Sequence, residues 1–497
     1  MRHLPRRIKC DELRPACARC VRSGWKCDGY PSTTPSSAAR AALSRSGPSL
    51  DISAYSIPFQ VPGSKRDREL FHYFCTQAAS DLSGFVSSQF WTKTVLQTSH
   101  HEPLVRQVLL ALSSLHLDYI SSDTLDSQIA STFTMEQYGK AIRNLQKRIR
   151  NSPSPDVVRI VSICSILLYS FESMLGNSQS ALSQLEGGLS LLKSIQANNY
   201  RELPESEDIV DIFARLDIQA TMFDDSHLPT LVLTTSQERQ AMTVETSNIP
   251  FDTTEAAQRE LIKLQNWLFH LLISNVWCKE MPIDCVPPDV LLEKDLLDQK
   301  LRLWYDKSTA LLSRSQAAAR GPNAGLSILL IHYHVSRMLL ASSLPENRAV
   351  FGSSPNAQAK EVVEMAESIL HYAQQNNSNA TTARNPRRNF SAEAGVIAPL
   401  ALLVFKCADP SIVQRATRVL GLLQRQEGLY DTRSLLSAAQ QLNEYKDKRQ
   451  LDPQAVLEDA PLPLEYSVLD VAEGAQALME ANYKLVPPTF LPVPELV

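Results

Sequence analysis

The stretch "SPSPDVVRIVSICSILLYSFESMLGNSQSALSQLEGGLSLLKSI", residues 152–195, decides the fold class. Its first residues are turn formers, and Pro155 with Asp156 suits a helix N-terminus. Proline's fixed φ fits the first helical position, and an acid there faces the positive end of the helix dipole. A long apolar run follows and stops at Gly176–Asn177, a helix C-terminal signal. A second helical pattern starts at once, so the spacing predicts an antiparallel helical hairpin.

The same periodicity extends in both directions. "EPLVRQVLLALSSLHLDY" (102–119) puts Leu104, Val108, Leu112, Leu115 and Tyr119 on one face. "MEQYGKAIRNLQKRIR" (135–150) does so with Tyr138, Ile142, Leu145 and Ile149, leaving Lys and Arg opposite. Further helices are expected near 254–280, 289–315, 322–344, 357–376, 391–407, 410–426, 432–446 and 465–482. Strand alternation is nearly absent, and glycine is scarce at 16 of 497 residues, which favours helix. Residues 376–389 read as an exposed loop, and the proline-rich 485–497 cannot continue a helix. "GLSILLIHYHVSRMLLASSL" (325–344) is interrupted by two His and an Arg, so it reads as a core helix rather than a membrane span. The expected fold class is mainly α. Neither a fixed-period repeat nor a heptad run is found, so the oligomeric state stays open.

The N-terminal thirty residues differ in kind. Arg2, Arg6, Arg7, Lys9, Arg14, Arg19, Arg22 and Lys26 stand against Asp11, Glu12 and Asp28, while the whole chain carries a net charge of −4. A basic head on an acidic body points to an anionic partner for the head, nucleic acid before membrane. Residues 31–64, rich in Ser, Pro and Ala, read as a disordered linker, and 65–497 as one helical body. The charged N-terminus lacks the apolar core of a signal peptide, so the chain is expected to be intracellular with reduced thiols.

Four of the nine cysteines, Cys10, Cys17, Cys20 and Cys27, follow a Cys-x6-Cys-x2-Cys-x6-Cys pattern. A Cys-x2-Cys pair grips one tetrahedral ion from a tight turn, and nearby cations favour the thiolate. These four are the candidate zinc ligands. The other five, Cys75, Cys164, Cys278, Cys285 and Cys407, sit in apolar patterns and are expected to be buried thiols.

"RRIKCDELRPACARCVRSGWKCDGY" (6–30) resembles the latter two-thirds of the fungal six-cysteine, two-zinc cluster of transcription factors. Lys9–Cys17 matches its "KCDExxPxC" signature, Gly24–Tyr30 its "GxxCxGY" ending, and the four cysteines its third to sixth. The body resembles that family's fungus-specific regulatory domain at 104–119, 137–149, 167–192, 213–223 and 330–340. The resemblance implies a nuclear, sequence-specific regulator at RNA polymerase II promoters, bound to double-stranded DNA and to coregulator proteins. It assigns CGG-type triplets to a helix carrying Arg6, Arg7 and Lys9, since Arg and Lys can bond guanine O6 and N7. It leaves Arg14, Arg19, Arg22 and Lys26 for phosphates.

One departure matters. The family's second cysteine falls on His3, and its first falls one residue before Met1. In the family the first and fourth cysteines bridge two zinc ions. Here one ion would keep Cys17, Cys20 and Cys27, and the other Cys10 and Cys17, so one zinc or fewer is expected in the chain as given. Either an upstream coding segment supplies the first pair, or the finger is degenerate and the protein acts as a helical interaction protein. The first is expected, because the remaining pattern is kept in detail.

Catalysis finds no support. His100–Glu102 forms no HExxH motif, and His332 and His334 lie on different helix faces, so both groups read as loop, cap or core residues. Phe223–Asp225 is a lone acidic turn, and P-loop, nucleophile-elbow and dinucleotide motifs are lacking. The chain is expected not to be an enzyme.

Overall fold

The computed structural model describes residues 62–451, apart from 87, 122–129, 152–154, 198–206, 225–226, 236–237, 240–248, 319–322 and 379–388, together with Arg22. The chain divides into two units, 1–60 and 61–497. Arg22 lies in the first, and the rest of this subsection concerns the second.

The body begins with α1 (Lys65–Tyr73), opened by a capping box in which Ser64 and Asp67 each satisfy the other's backbone N–H. A π-helical turn, Phe74–Ala78, leads into α2 (Ala79–Ser83). A second π turn, Phe90–Thr94, leads into α3 (Val95–His101). Then come α4 (Pro103–Ser121), α5 (Thr132–Asn151), α6 (Pro155–Leu175), α7 (Ser178–Ala197) and α8 (Glu207–Phe223). An extended segment around 227–233 precedes α9 (Thr254–Ser274), capped by Thr253. Two short 3₁₀ turns lead into α10 (Pro288–Ala318) and α11 (Ala324–Ser342), the latter capped by Asn323. The chain continues through α12 (Ala349–Gly352) and α13 (Ala357–Ser378). After strand β1 (Asn389–Ser391) come α14 (Ile397–Lys406) and α15 (Pro410–Leu423). Strands β2 (Arg425–Glu427) and β3 (Tyr430–Asp431) precede α16 (Thr432–Leu451).

The predicted hairpin is present as α6 and α7, which pack closely together. Its turn explains the stop at Gly176, which adopts φ 82°. The Asn177 N–H reaches the Glu172 carbonyl and the Gly176 N–H reaches that of Ser173, the paired bonds of a Schellman cap. A side chain at Gly176 would strain that left-handed backbone. Further along, Gly188 lets α7 approach α8: a Cβ there would stand 2.5 Å from the Phe213 ring.

The apolar faces read from the sequence meet in one core. On α4, Val108, Leu112, Leu115 and Tyr119 are buried and Leu104 is half-buried. On α5, Leu145 is buried but Ile149 at the far end is 48% exposed. Trp91, Trp267 and Trp304 are fully enclosed. The Trp304 indole N–H donates to the Ala257 carbonyl at 2.8 Å, and that of Trp267 to Glu293 at 2.6 Å. Val157–Leu175 and Ala324–Ser342 are long and apolar enough to cross a membrane, but most of each is buried inside the protein. Both are core helices here, as expected for the second.

The helices expected at 289–315, 322–344, 357–376 and 432–446 are observed with small shifts in their ends, and the one at 254–280 stops at Ser274. Of the exposed loop expected at 376–389, residues 376–378 belong to α13 and Asn389 starts β1, while 379–388 lie outside the described residues. The stretches 465–482 and 485–497 lie outside the described residues.

The small sheet corrects two expectations. The helix expected over 391–407 starts only at Ile397, because Asn389–Ser391 forms β1. The helix expected over 410–426 ends at Leu423, and Gln424 turns left-handed at φ 41° into β2. The strand order is β1-β2-β3, with β1 and β2 parallel (Phe390 opposite Gln426) and β2 and β3 antiparallel (Glu427 opposite Tyr430). Strands of two or three residues are too short to show alternation.

Candidate nucleic-acid interface

Cys10, Cys17, Cys20, Cys27, Arg6, Arg7, Lys9, Arg14, Arg19 and Lys26 lie outside the described residues. Arg22 is described: it is helical and exposed, which suits a phosphate contact as well as any solvated charge. The donor set can be tested on its chemistry. Four thiols within eighteen residues meet the demand of one tetrahedral zinc, whereas two fully thiolate-ligated ions sharing two bridging thiolates need six. The residues therefore fit one zinc, whose chemistry when bound would be structural.

One set of polar side chains gathers around the sheet. On α8, Arg215 and Gln219 stand one turn apart on one face. Arg215 forms a two-pronged pair with Glu393, at 2.7 and 3.2 Å, and reaches Ser88 Oγ at 3.2 Å. In β2, Glu427 accepts from the backbone N–H groups of Gly395 and Ile397 at 2.8 and 2.9 Å, at the start of α14. A carboxylate is favoured at that helix end. Arg425 stands 3.4 Å from Glu427 and 4.5 Å above the Phe85 ring. Between them, Gln426 accepts from the Tyr119 hydroxyl at 3.2 Å and donates to the carbonyls of Ser173 and Gly428 at 2.5 and 3.0 Å.

A second buried group holds the extended segment after α8. Asp217, fully buried, accepts from the backbone N–H groups of Thr230 and Leu231 and lies 2.9 Å from His227. The other ring nitrogen of His227 is 3.5 Å from Glu186. Burial alone would lower the His227 pKa, but the two carboxylates outweigh it and hold the imidazole above its ordinary value. His116 is the opposite case: enclosed beside Tyr73, it is pushed down to about 4 by burial.

None of this resembles a catalytic constellation. Among the described residues, no group of three or more His, Cys, Asp or Glu side chains could hold a metal. His332 is buried with Nε2 2.8 Å from the Gly395 carbonyl, and His334 pairs with Glu361 at 3.4 Å. Both are satisfied, as expected. His100 and His101 end α3, with Glu102 as the capping residue. Phe223 ends α8, and Asp225 lies outside the described residues. Cys164, Cys278 and Cys407 are buried as expected, but Cys75 and Cys285 are exposed. Cys75 falls on the outer side of the π turn, and Cys285 in a 3₁₀ turn with no buried residue. The small apolar character of a cysteine does not show which side of a turn it takes.

Comparison with known families accounts for both parts of the chain. Residues 69–383 match the fungal specific transcription factor domain, well over half of the sequence. The chain belongs to this family. Residues 5–37 match the fungal Zn(2)-Cys(6) binuclear cluster domain, a span that holds all four clustered cysteines. The family is one of transcription factor domains, not of enzymes. Two curated relatives are similar over part of the chain. The aspercryptin biosynthesis cluster-specific transcription regulator atnN of Emericella nidulans is 27% identical over 241 residues, 44% of this chain and 38% of that protein. The transcription regulator lscL of Purpureocillium lilacinum is 24% identical over 230 residues, 44% of this chain and 53% of that protein. The matches thus span about half or less of each relative's length. No solved structure matches the chain.

The sequence reading of the body missed Arg215, Gln219, Glu393, Gln426 and Glu427 as one polar group, and Asp217 as the centre of a second. One signal was available: "FARLDIQATMF" (213–223) sets an Arg, an Asp and a Gln inside an apolar helix. Such groups are rarely buried unless paired.

Proposed function

We propose that this protein is a nuclear, zinc-dependent, sequence-specific DNA-binding regulator of transcription by RNA polymerase II. The observation that carries the reading is Cys-x6-Cys-x2-Cys-x6-Cys in a basic stretch, inside a zinc-cluster match and on the same chain as the regulatory domain. Cys10, Cys17, Cys20 and Cys27 hold zinc, which fixes the basic segment in shape. Arg6, Arg7 and Lys9 read guanine edges in CGG-type triplets. Arg14, Arg19, Arg22 and Lys26 neutralise phosphates and set the register. The proposed boundaries are a DNA-binding module over 1–30, a linker over 31–64 and a regulatory body over 65–497, which also meets coregulators.

His3 at the second cysteine position supports a second reading, a finger too incomplete for specific binding. One experiment divides the two. Zinc per molecule and binding to CGG-containing duplexes are measured for the chain as given and for the chain carrying its upstream coding sequence. The first reading expects a specific complex in at least one form, lost on chelation. It also expects affinity to fall steeply with salt, by about 0.9 in log–log slope per phosphate neutralised. Zinc-independent binding, or equal affinity for CGG and scrambled duplexes in both forms, would overturn it.

A further inference from the structure

The basic face of α5 has no counter-charge in the fold. At about 100° per residue, Lys140, Arg143, Lys147 and Arg150 share one arc about 80° wide and extend over about 15 Å of helix. All four are exposed, and among the described residues none pairs with an acid. Glu136 is the only acid in the sequence of α5. Arg66 of α1 lengthens the line. Its guanidinium sits 4.4 Å above the ring of Phe133, which lies on the same arc. The strip then runs for about 25 Å.

Packing fixes which way this arc points. Ala141 and Leu145 are buried, and the Tyr138 ring stacks on Phe171 with centroids 4.4 Å apart. On the flank, Asn144 donates to Gln107 at 2.7 Å. The helix dipole accounts for the cations of the last turn, Arg148 and Arg150, but not for Lys140 or Arg143. A solvated helix face usually mixes signs, as α10 does: its Asp298 pairs with Arg302 at 2.7 Å and with Arg337 at 3.0 Å. Like charges three and four apart repel, so α5 carries a cost that an anionic partner would relieve.

We propose that α5 is a second DNA contact, in which Lys140, Arg143, Lys147 and Arg150, continued by Arg66, bind the phosphate backbone of duplex DNA without reading its sequence. About four phosphates of one strand lie along 15 Å of duplex axis. The choice of partner, though not the strip itself, rests on the DNA-binding reading. An acidic protein segment fits less well, because protein interfaces centre on buried apolar anchors. The arc offers none: Arg66 covers Phe133, and the exposed Ile149 lies on the other side of the helix. A duplex is also at hand. Residues 31–64 reach about 120 Å at most, at roughly 3.3–3.6 Å each. A duplex held by the N-terminal module therefore stays at an effective concentration on the order of 0.2 mM or higher. Non-specific dissociation constants lie at about 10⁻⁴–10⁻⁶ M. Acids elsewhere in the body are screened beyond about 8–10 Å.

The test uses the full chain with duplexes of about 30 base pairs, CGG-containing or scrambled. Replacing Lys140, Arg143, Lys147 and Arg150 together by Gln should weaken binding about tenfold or more, by the same factor for both duplexes, and lower the log–log salt slope by about 3. Lys140→Arg with Lys147→Arg should bind as wild type, and Glu136→Gln should tighten binding. Should the fourfold variant lose its circular dichroism, Lys140→Gln with Lys147→Gln replaces it, with about half the slope change. An unchanged slope, a loss confined to CGG duplexes, or an equal loss of binding to polyglutamate would each overturn the proposal. The last would assign the strip to an acidic protein segment. The slope change is read on scrambled DNA with zinc chelated. Failure of the zinc module shows instead as equal affinity for CGG and scrambled duplexes, so the two failures are separable.

Discussion

The α6–α7 hairpin joins two helices adjacent in sequence through apolar side chains such as Leu167, Leu185 and Leu189. The sheet joins segments up to 307 residues apart through an arginine, two glutamates and two glutamines. The two regions should fail differently. An apolar contact degrades in proportion to the atoms removed, because burial energy scales with area and cavity volume. A buried charged contact fails abruptly, because the surviving partner keeps its charge with no compensation.

The largest effect is expected at the sheet. Glu427→Ala removes the acceptor of two backbone N–H groups and strands Arg425. It should destabilise the body by about 3–5 kcal/mol, measured by urea unfolding followed through tryptophan fluorescence. A loss below about 1 kcal/mol would mean that water replaces the carboxylate. Arg215→Met alone should cost about 3 kcal/mol, and adding Glu393→Leu should restore most of that, since a matched apolar pair can replace an ion pair. In the hairpin, Leu185→Ala should cost about 3 kcal/mol, and a second apolar truncation should deepen the loss. If both double variants behave alike, the contrast between the regions is wrong.

Two smaller effects sharpen the contrast. Gly176→Ala should cost about 1 kcal/mol through its left-handed backbone alone, seen as a lower urea midpoint with an unchanged slope. His227 should give a pH dependence. Its folded pKa is raised, so its stabilising contribution is complete below the unfolded value of about 6.5 and is lost as pH rises through the folded value. His227→Gln should flatten that part of the stability profile. A wild-type profile that does not fall in that range would remove the charged His227 from the account. His116 works in the opposite sense, with a contribution lost as pH falls from about 6.5 through about 4.

The helices were legible because their information is local. In residues 152–195 the apolar spacing, the opening proline and acid, and the closing Gly176–Asn177 lie within one window. The class of the N-terminal module was legible for the same reason, since Cys17 and Cys20 sit three apart in a characteristic frame. The sheet was not. Phe390 and Gln426 pair across an intervening pair of helices, and neither strand is long enough to carry a pattern. Arg215 and Glu393 read separately as ordinary charges, and only the folded chain places them 2.7 Å apart. Pairing is a property of two distant positions, and a single sequence gives no correlation between them.

The family match ends at residue 383, whereas Gln426 makes its bonds to Tyr119 and Ser173 from well beyond that point. A fragment cut at the end of the match would keep α4, α6 and α8 but lose the strand that ties them. It would bare the Tyr119 hydroxyl, the Ser173 carbonyl and the Arg215 guanidinium together. For this chain, the end of the family match and the last of the contacts that tie these helices together are different places, and the second lies closer to the C-terminus.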